Sequence, residues 1–200
     1  MSNPIQSNNL SKYILWIVLS IPAIGMLIGY FSGNASSEKL LHPTGEFSAR
    51  FMIIALLATP LLVFFRRFGW SLKVPQWLVR YRRAFGVAAF TYALLHTVFY
   101  LIDNGVLADI LSELKSADIW TGWLAFIIFI PLAITSNDRS QRRLKTAWKQ
   151  LQRWVYPAAV LTLLHWIFIH NEFGPALVHF LPLAVLELFR VYCHYKPSSK

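Results

Sequence analysis

Apolar residues gather in six runs: residues 12–31, 47–65, 84–102, 120–135, 154–170 and 175–192. Each run is roughly 16–20 residues long, against about 20 needed to cross the hydrocarbon of a bilayer. The fourth and fifth runs are the shortest. In lipid every backbone polar group must be satisfied within the chain, so such runs are expected to be helices. The pattern predicts an all-α polytopic membrane protein with six transmembrane helices forming one domain over 12–192. A polar, disordered N-terminal tail over 1–11 and a short tail over 193–200 flank it. The first run also has the apolar character of a signal peptide. No convincing small-residue cleavage site follows Gly25, Gly29 or Tyr30, so it reads as a span.

The polar segments between runs carry further signals. Thr44 stands just before the second run, with Glu46 behind it, and is expected to cap that helix, the carboxylate favoured by the helix dipole. Between the fourth and fifth runs, Leu144, Trp148 and Leu151 recur at helical spacing among basic residues. That pattern predicts an amphipathic helix lying on a membrane surface.

Composition supports the membrane class: 56% of the 200 residues are hydrophobic and 14% charged, too apolar for a soluble domain. The net charge of +10 is informative through its distribution. Arg66, Arg67, Lys73, Arg80, Arg82 and Arg83 fall in the second polar segment, and Arg139, Arg142, Arg143, Lys145, Lys149 and Arg153 in the fourth. The other segments carry Glu38, Lys39, Glu46, Asp109, Glu113, Lys115, Asp118 and Glu172. Positive charge marks the cytoplasmic side, which puts the second and fourth segments and both termini in the cytoplasm. Topology and contact with anionic lipid headgroups account for the basic runs, and no nucleic-acid partner is implied. Cys193 is the lone cysteine, which excludes an intrachain disulfide and a cysteine-based metal cluster. Neither a P-loop nor a dinucleotide fingerprint is present.

Histidine carries the candidate chemistry. An ionisable residue inside a span is costly and points to a ligand or partner. His96 lies about 18 Å along the third run from Ala84, and His165 about 16–17 Å along the fifth from Trp154, at 1.5 Å per residue. Both runs leave the cytoplasm in the same direction, so the two histidines lie at nearly equal depth. Two imidazoles at one depth on different helices suit axial ligation of a single haem iron. His42 and His170 lie near the outer interface, where histidine is easily solvated, and are weaker candidates for an outer ligand or partner contact. His170 is turned about 140° from His165 on an ideal helix and cannot share its ligand face. His179 and Glu187, about two helical turns apart in the sixth run, are weak candidates for pairing through water or with other helices. His194 falls in the tail and needs no function.

Several ordered motifs then resemble the ferric-reductase-like transmembrane family: HPTG at 42–45, RRAFG at 82–86, LLH at 94–96, and the long stretch from TSNDRSQRRLKTAWKQLQRWVYP to LLHW over 135–166. The nearest branch is the haem-binding membrane subunits of bacterial periplasmic methionine sulfoxide reductase systems. The resemblance implies a cytochrome b-like bundle in the bacterial inner membrane. It would be a non-catalytic electron-transfer subunit with haem b on His96 and His165. Electrons would pass from the quinone pool or a cytoplasmic flavin reductase to a periplasmic molybdopterin enzyme that repairs oxidised methionine. FMN is implied as a further cofactor, on no identified residue. The family has a histidine thirteen residues before the His165 position, where this chain has Gln152. An amide is a poor iron ligand beside imidazole, so one haem is expected rather than two. Lys145 stands where relatives have glycine. After the sixth run only a short tail follows, with no room for a flavin and nicotinamide domain, so electrons are expected from a partner or from quinone. Two alternatives stay open: a metal-reducing cytochrome b with another acceptor, and a haem-free membrane scaffold or transporter.

Overall fold

A computed structural model describes residues 4–171 and 173–196, and the side chains of these except 4–9 and 107. Glu172, which entered the charge pattern above, lies outside the described residues. Eight helices follow one another: α1 (Pro4–Phe31), α2 (Ser37–Arg67), α3 (Lys73–Asn104), α4 (Leu107–Glu113), α5 (Ala117–Ile134), α6 (Asp138–Gln152), α7 (Val155–His170) and α8 (Phe173–Tyr195). No strand occurs among the described residues. The all-α, polytopic membrane class is correct.

The helix ends differ from the apolar runs. The α1 helix begins at Pro4, where a polar tail was expected, and α8 runs to Tyr195, so His194 sits in its last turn. Both long helices, α2 and α3, start about ten residues before their apolar runs. Hydropathy marks what lipid touches, whereas the helical hydrogen-bond ladder continues through polar residues beyond it. The cap of α2 is Ser36, whose hydroxyl accepts from the Lys39 N–H at 3.4 Å. Thr44 therefore lies two turns inside the helix and is fully buried.

Five helices are long and apolar enough to cross a membrane: α1 over Leu10–Phe31, α2, α3, α5 and α8. The remaining one, α7, has 16 residues, a rise of about 24 Å against a hydrocarbon core of about 30 Å. Asn171, left-handed at φ 49°, ends it, and the turn at 153–154 starts it. The six-span expectation thus stands at five by length, with a shorter sixth helix inside the bundle.

Alanines let the helices approach closely. Ala49 on α2, Ala89 on α3, Ala158 and Ala159 on α7 and Ala176 on α8 form one buried cluster with Met52, Phe129, Leu132, Trp166 and Phe180. Ser48 donates to the Ala89 carbonyl at 2.9 Å, joining α2 to α3. At the edge of the bundle, α1 exposes Ile14, Ile17 and Ile21. It is fastened by Tyr92, whose hydroxyl donates to the Leu19 carbonyl (2.9 Å) and accepts from the Ala23 N–H (2.8 Å). Those two groups are an i, i+4 pair beside Pro22. The hydroxyl is inserted into the helical ladder where a proline already loosens it.

The helix α6 carries the expected amphipathic pattern: Trp148 is buried, with its indole N–H donating to the Thr135 carbonyl at 2.9 Å, and the basic residues face outward. A kink interrupts it at Lys145, φ 48°, ψ −112°. These angles match the first central position of a type II′ turn, which glycine adopts readily and lysine does not. A glycine at this position would adopt the same backbone without strain.

The bundle has two chemically distinct ends. Arg82, Arg83, Lys149 and Arg153 mark a basic end, and Glu38, Asp103, Glu113 and Asp118 an acidic one.

Candidate functional site

A cavity of about 780 Å³ opens between α2, α3, α5 and α7 towards the acidic end, within the range of about 300–1,000 Å³ usual for small-molecule and cofactor sites. Four histidines line it: His42, His96, His165 and His170. His96 and His165 face one another from α3 and α7, with ring centres 6.2 Å apart and planes at 80°.

Their hydrogen bonds fix which nitrogen each ring offers. His96 Nδ1 lies 2.9 Å from the Leu41 carbonyl, and His165 Nδ1 lies 2.5 Å from the Asp118 carbonyl. A carbonyl only accepts, so each Nδ1 carries the proton and each Nε2 keeps its lone pair. This is the usual arrangement of a metal-bound histidine, whose second ring nitrogen donates to a backbone carbonyl.

Three observations test whether a haem fits these residues. A metal–imidazole bond is about 2 Å and the ring centre lies about 1 Å further on, so two rings on opposite sides of one metal have centres about 6 Å apart. The observed 6.2 Å agrees. Second, two glycines make room for the rings. A Cβ on Gly45 would stand 3.3 Å from Cε1 and Nδ1 of His96, and one on Gly122 only 2.8 Å from the same atoms of His165. Third, Trp166 lines the cavity, and its buried indole N–H has no partner among the described residues. The donor set and the space fit a bis-histidine haem.

The weaker candidates fall into place around this pair. His42 and His170 meet at 3.3 Å, Nδ1 to Nε2, and His42 Nε2 lies 3.8 Å from Glu46. Glu46 accepts from Arg50 at 2.5 Å, and Arg50 Nε donates to His179 at 3.2 Å. His179 and Glu187 do not pair with each other: His179 packs on Trp166 with ring centres 5.0 Å apart, and Glu187 holds Arg190 at 2.7 Å.

A second, smaller cavity of about 330 Å³ lies at the basic end, and no histidine lines it. Gln152 is there, but its amide is committed: Nε2 donates to the Leu132 carbonyl and to Thr135 Oγ1, both at 3.1 Å. It clamps the end of α6 to the end of α5. No group of three or more histidine, cysteine or acidic side chains suited to a bare metal ion occurs among the described residues.

Sequence reasoning missed Gly45, Gly122 and the two carbonyls. The available signal was Thr-Gly occurring twice, at 44–45 and 121–122, each time at or just before the start of the apolar run that precedes the run carrying His96 or His165.

The chain matches the family described as ferric reductase like transmembrane component over residues 44–163. It belongs to that family. The ferric-reductase-like segment opens at Thr44, contains His96 and closes two residues before His165. Curated relatives match most of the chain. One from Xanthomonas euvesicatoria pv. vesicatoria is 36% identical over 77% of this chain and 69% of its own length. One from Herminiimonas arsenicoxydans is 35% identical over 96% and 88%. One from Pectobacterium carotovorum subsp. carotovorum is 32% identical over 88% and 84%. Each is named protein-methionine-sulfoxide reductase heme-binding subunit MsrQ. No solved structure matches the chain.

Proposed function

We propose that this chain is a haem-binding membrane subunit that delivers electrons to a protein-methionine-sulfoxide reductase, with His96 and His165 as the two axial ligands of one haem b. One observation carries the reading: two imidazoles face each other across the cavity, each with its Nδ1 proton on a backbone carbonyl and its Nε2 free. The relatives' names support the same cofactor and the same partner system.

The residues have separable tasks. Leu41 and Asp118 hold the two imidazoles in one tautomer and raise the basicity of the free nitrogens. Gly45 and Gly122 give the rings room. The Trp166 N–H and the His42–His170 pair offer donors to the carboxylates of a haem. A haem held by two histidines supplies reversible one-electron transfer and leaves no open position for oxygen.

The arrangement along the membrane gives a direction. By the positive-inside rule the basic end is cytoplasmic, with α7 as the sixth span, both termini cytoplasmic and the histidine cavity towards the periplasm of a bacterial inner membrane. Electrons enter from quinol or a cytoplasmic flavin reductase and leave to a periplasmic molybdopterin subunit. FMN is supported by the family resemblance alone. Gln152, already committed to α5, favours a single haem.

The test is a reduced-minus-oxidised spectrum and a pyridine haemochrome count on the purified full chain. One haem b per chain is expected, and His96→Ala or His165→Ala should abolish it. A colourless wild-type protein would favour the scaffold or transporter alternative. Full haem stoichiometry in either variant would remove the ligand assignment.

A further inference from the structure

The two sides of the histidine cavity are built on the same plan. On α2, Thr44 is fully buried and its hydroxyl donates to the carbonyls of Leu40 (2.6 Å) and Leu41 (3.0 Å). On α5, Thr121 is also fully buried and donates to Ala117 (2.7 Å) and Asp118 (2.9 Å). In each case the carbonyl three residues before the threonine accepts a second proton, from Nδ1 of the histidine opposite. The residue after each threonine is a glycine that lies against that ring. The histidine follows a Leu-Leu pair both times, at 94–96 and 163–165, with phenylalanine three residues on, Phe99 and Phe168. The packed helix pairs α2–α3 and α5–α7 therefore carry one repeated unit: a shared carbonyl and Thr-Gly on the first helix, and Leu-Leu-His on the second.

The repeat matters because its parts are coupled. Glycine sets how close the imidazole lies to the neighbouring helix. The shared carbonyl then holds the Nδ1 proton and aims Nε2 into the cavity. The threonine hydroxyl competes for that carbonyl and tunes how strongly it accepts. Thr44 goes further, with its Oγ1 at 3.3 Å from His96 Nδ1. The seats are unequal: Gly122 is the tighter one, at 2.8 Å against 3.3 Å for Gly45.

We infer that Thr44–Gly45 and Thr121–Gly122 are duplicated positioning residues that seat His96 and His165 and set the electronic character of a haem bound between them. The inference rests on the haem reading above. These residues act through the histidines.

The experiment uses the purified full chain and reads haem content, midpoint potential and the low-spin electron paramagnetic resonance signal, which reports imidazole orientation and basicity. Gly122→Ala is expected to weaken haem retention about 10–100-fold, as loss of an outer-shell partner usually does, and Gly45→Ala less. Gly25→Ala, on α1 with open space around its Cβ position, should leave all three readouts unchanged. Thr121→Val adds no bulk and should keep the haem but shift the potential and the resonance signal, with Thr121→Ser restoring both. Wild-type readouts in Gly122→Ala, or in Thr121→Val should Gly122→Ala fail to accumulate, would overturn the inference. A wild-type chain without haem, or haem retained in His165→Ala, would instead overturn the haem reading beneath it.

Discussion

The two ends of the bundle hold two cavities with opposite chemistry. Towards the acidic end, about 780 Å³ is lined by four histidines, two of them with free Nε2 atoms. At the basic end, about 330 Å³ is lined by arginines, Lys149 and an amide bonded back to α5. The helices are common to both. What separates them is which side chains line each level, and whether their polar atoms are already taken. Thirteen residues before His165 stands Gln152, and thirteen before His96 stands Arg83. Neither is an iron ligand, so the inner level lacks an imidazole on both helices.

That contrast can be broken most directly by Gln152→His. The substitution places an imidazole on one helix only and gives up two hydrogen bonds, to Leu132 and Thr135, worth about 1 kcal/mol each. The haemochrome count should stay at one and thermal stability in detergent should fall. A count of two would show that the basic-end cavity accepts a haem with a single imidazole, and the contrast would collapse.

Next in size is Lys145→Gly. Lysine at φ 48°, ψ −112° carries backbone strain of about 1–3 kcal/mol, partly offset by the greater unfolded-state freedom of glycine. The glycine variant should melt higher, by about 1 kcal/mol of stability, with haem content unchanged. A lower melting temperature would mean that the kink is relaxed.

The smallest effect belongs to the ion pair between Arg83 and Asp138, which joins α3 to the start of α6. The hydrogen bond and charge of the guanidinium hold the Asp138 carboxyl below its usual range. A depressed carboxylate contributes stability above its unfolded pKa and loses it as pH falls through the folded one. Acid below about pH 4 should therefore loosen α6 slightly, a change that protease nicking in the 138–152 segment would register. Asp138→Asn should show the looser behaviour at neutral pH and no further change on acidification.

Much of the site was legible because its signals were local. The apolar runs, the amphipathic α6 segment and the depth of His96 and His165 follow from counting along one helix at a time. The rest depended on neighbours. His42 and His170 meet at 3.3 Å although 128 residues separate them. The roles of Gly45 and Gly122 exist only once a ring lies against them. Thr44 looked like a cap because the apolar run begins just after it with Glu46 behind it, yet α2 starts at Ser37 and carries Pro43 within its body. The fourth and fifth runs were the shortest, and of the two helices they form only α7 falls short of a span, because Asn171 turns left-handed at its end.

The level of the histidine pair has an electrical consequence on the proposed orientation. His96 stands about 18 Å along α3 from its inner apolar edge, more than half of a hydrocarbon core of about 30 Å. An electron reaching that level from the cytoplasmic face crosses more than half of the membrane voltage. With the inside negative, that crossing is downhill by roughly 1.4 kcal/mol per 100 mV. On the proposed function, an energised membrane would drive haem reduction as well as host it, and its collapse would slow electron delivery even with the donor undiminished.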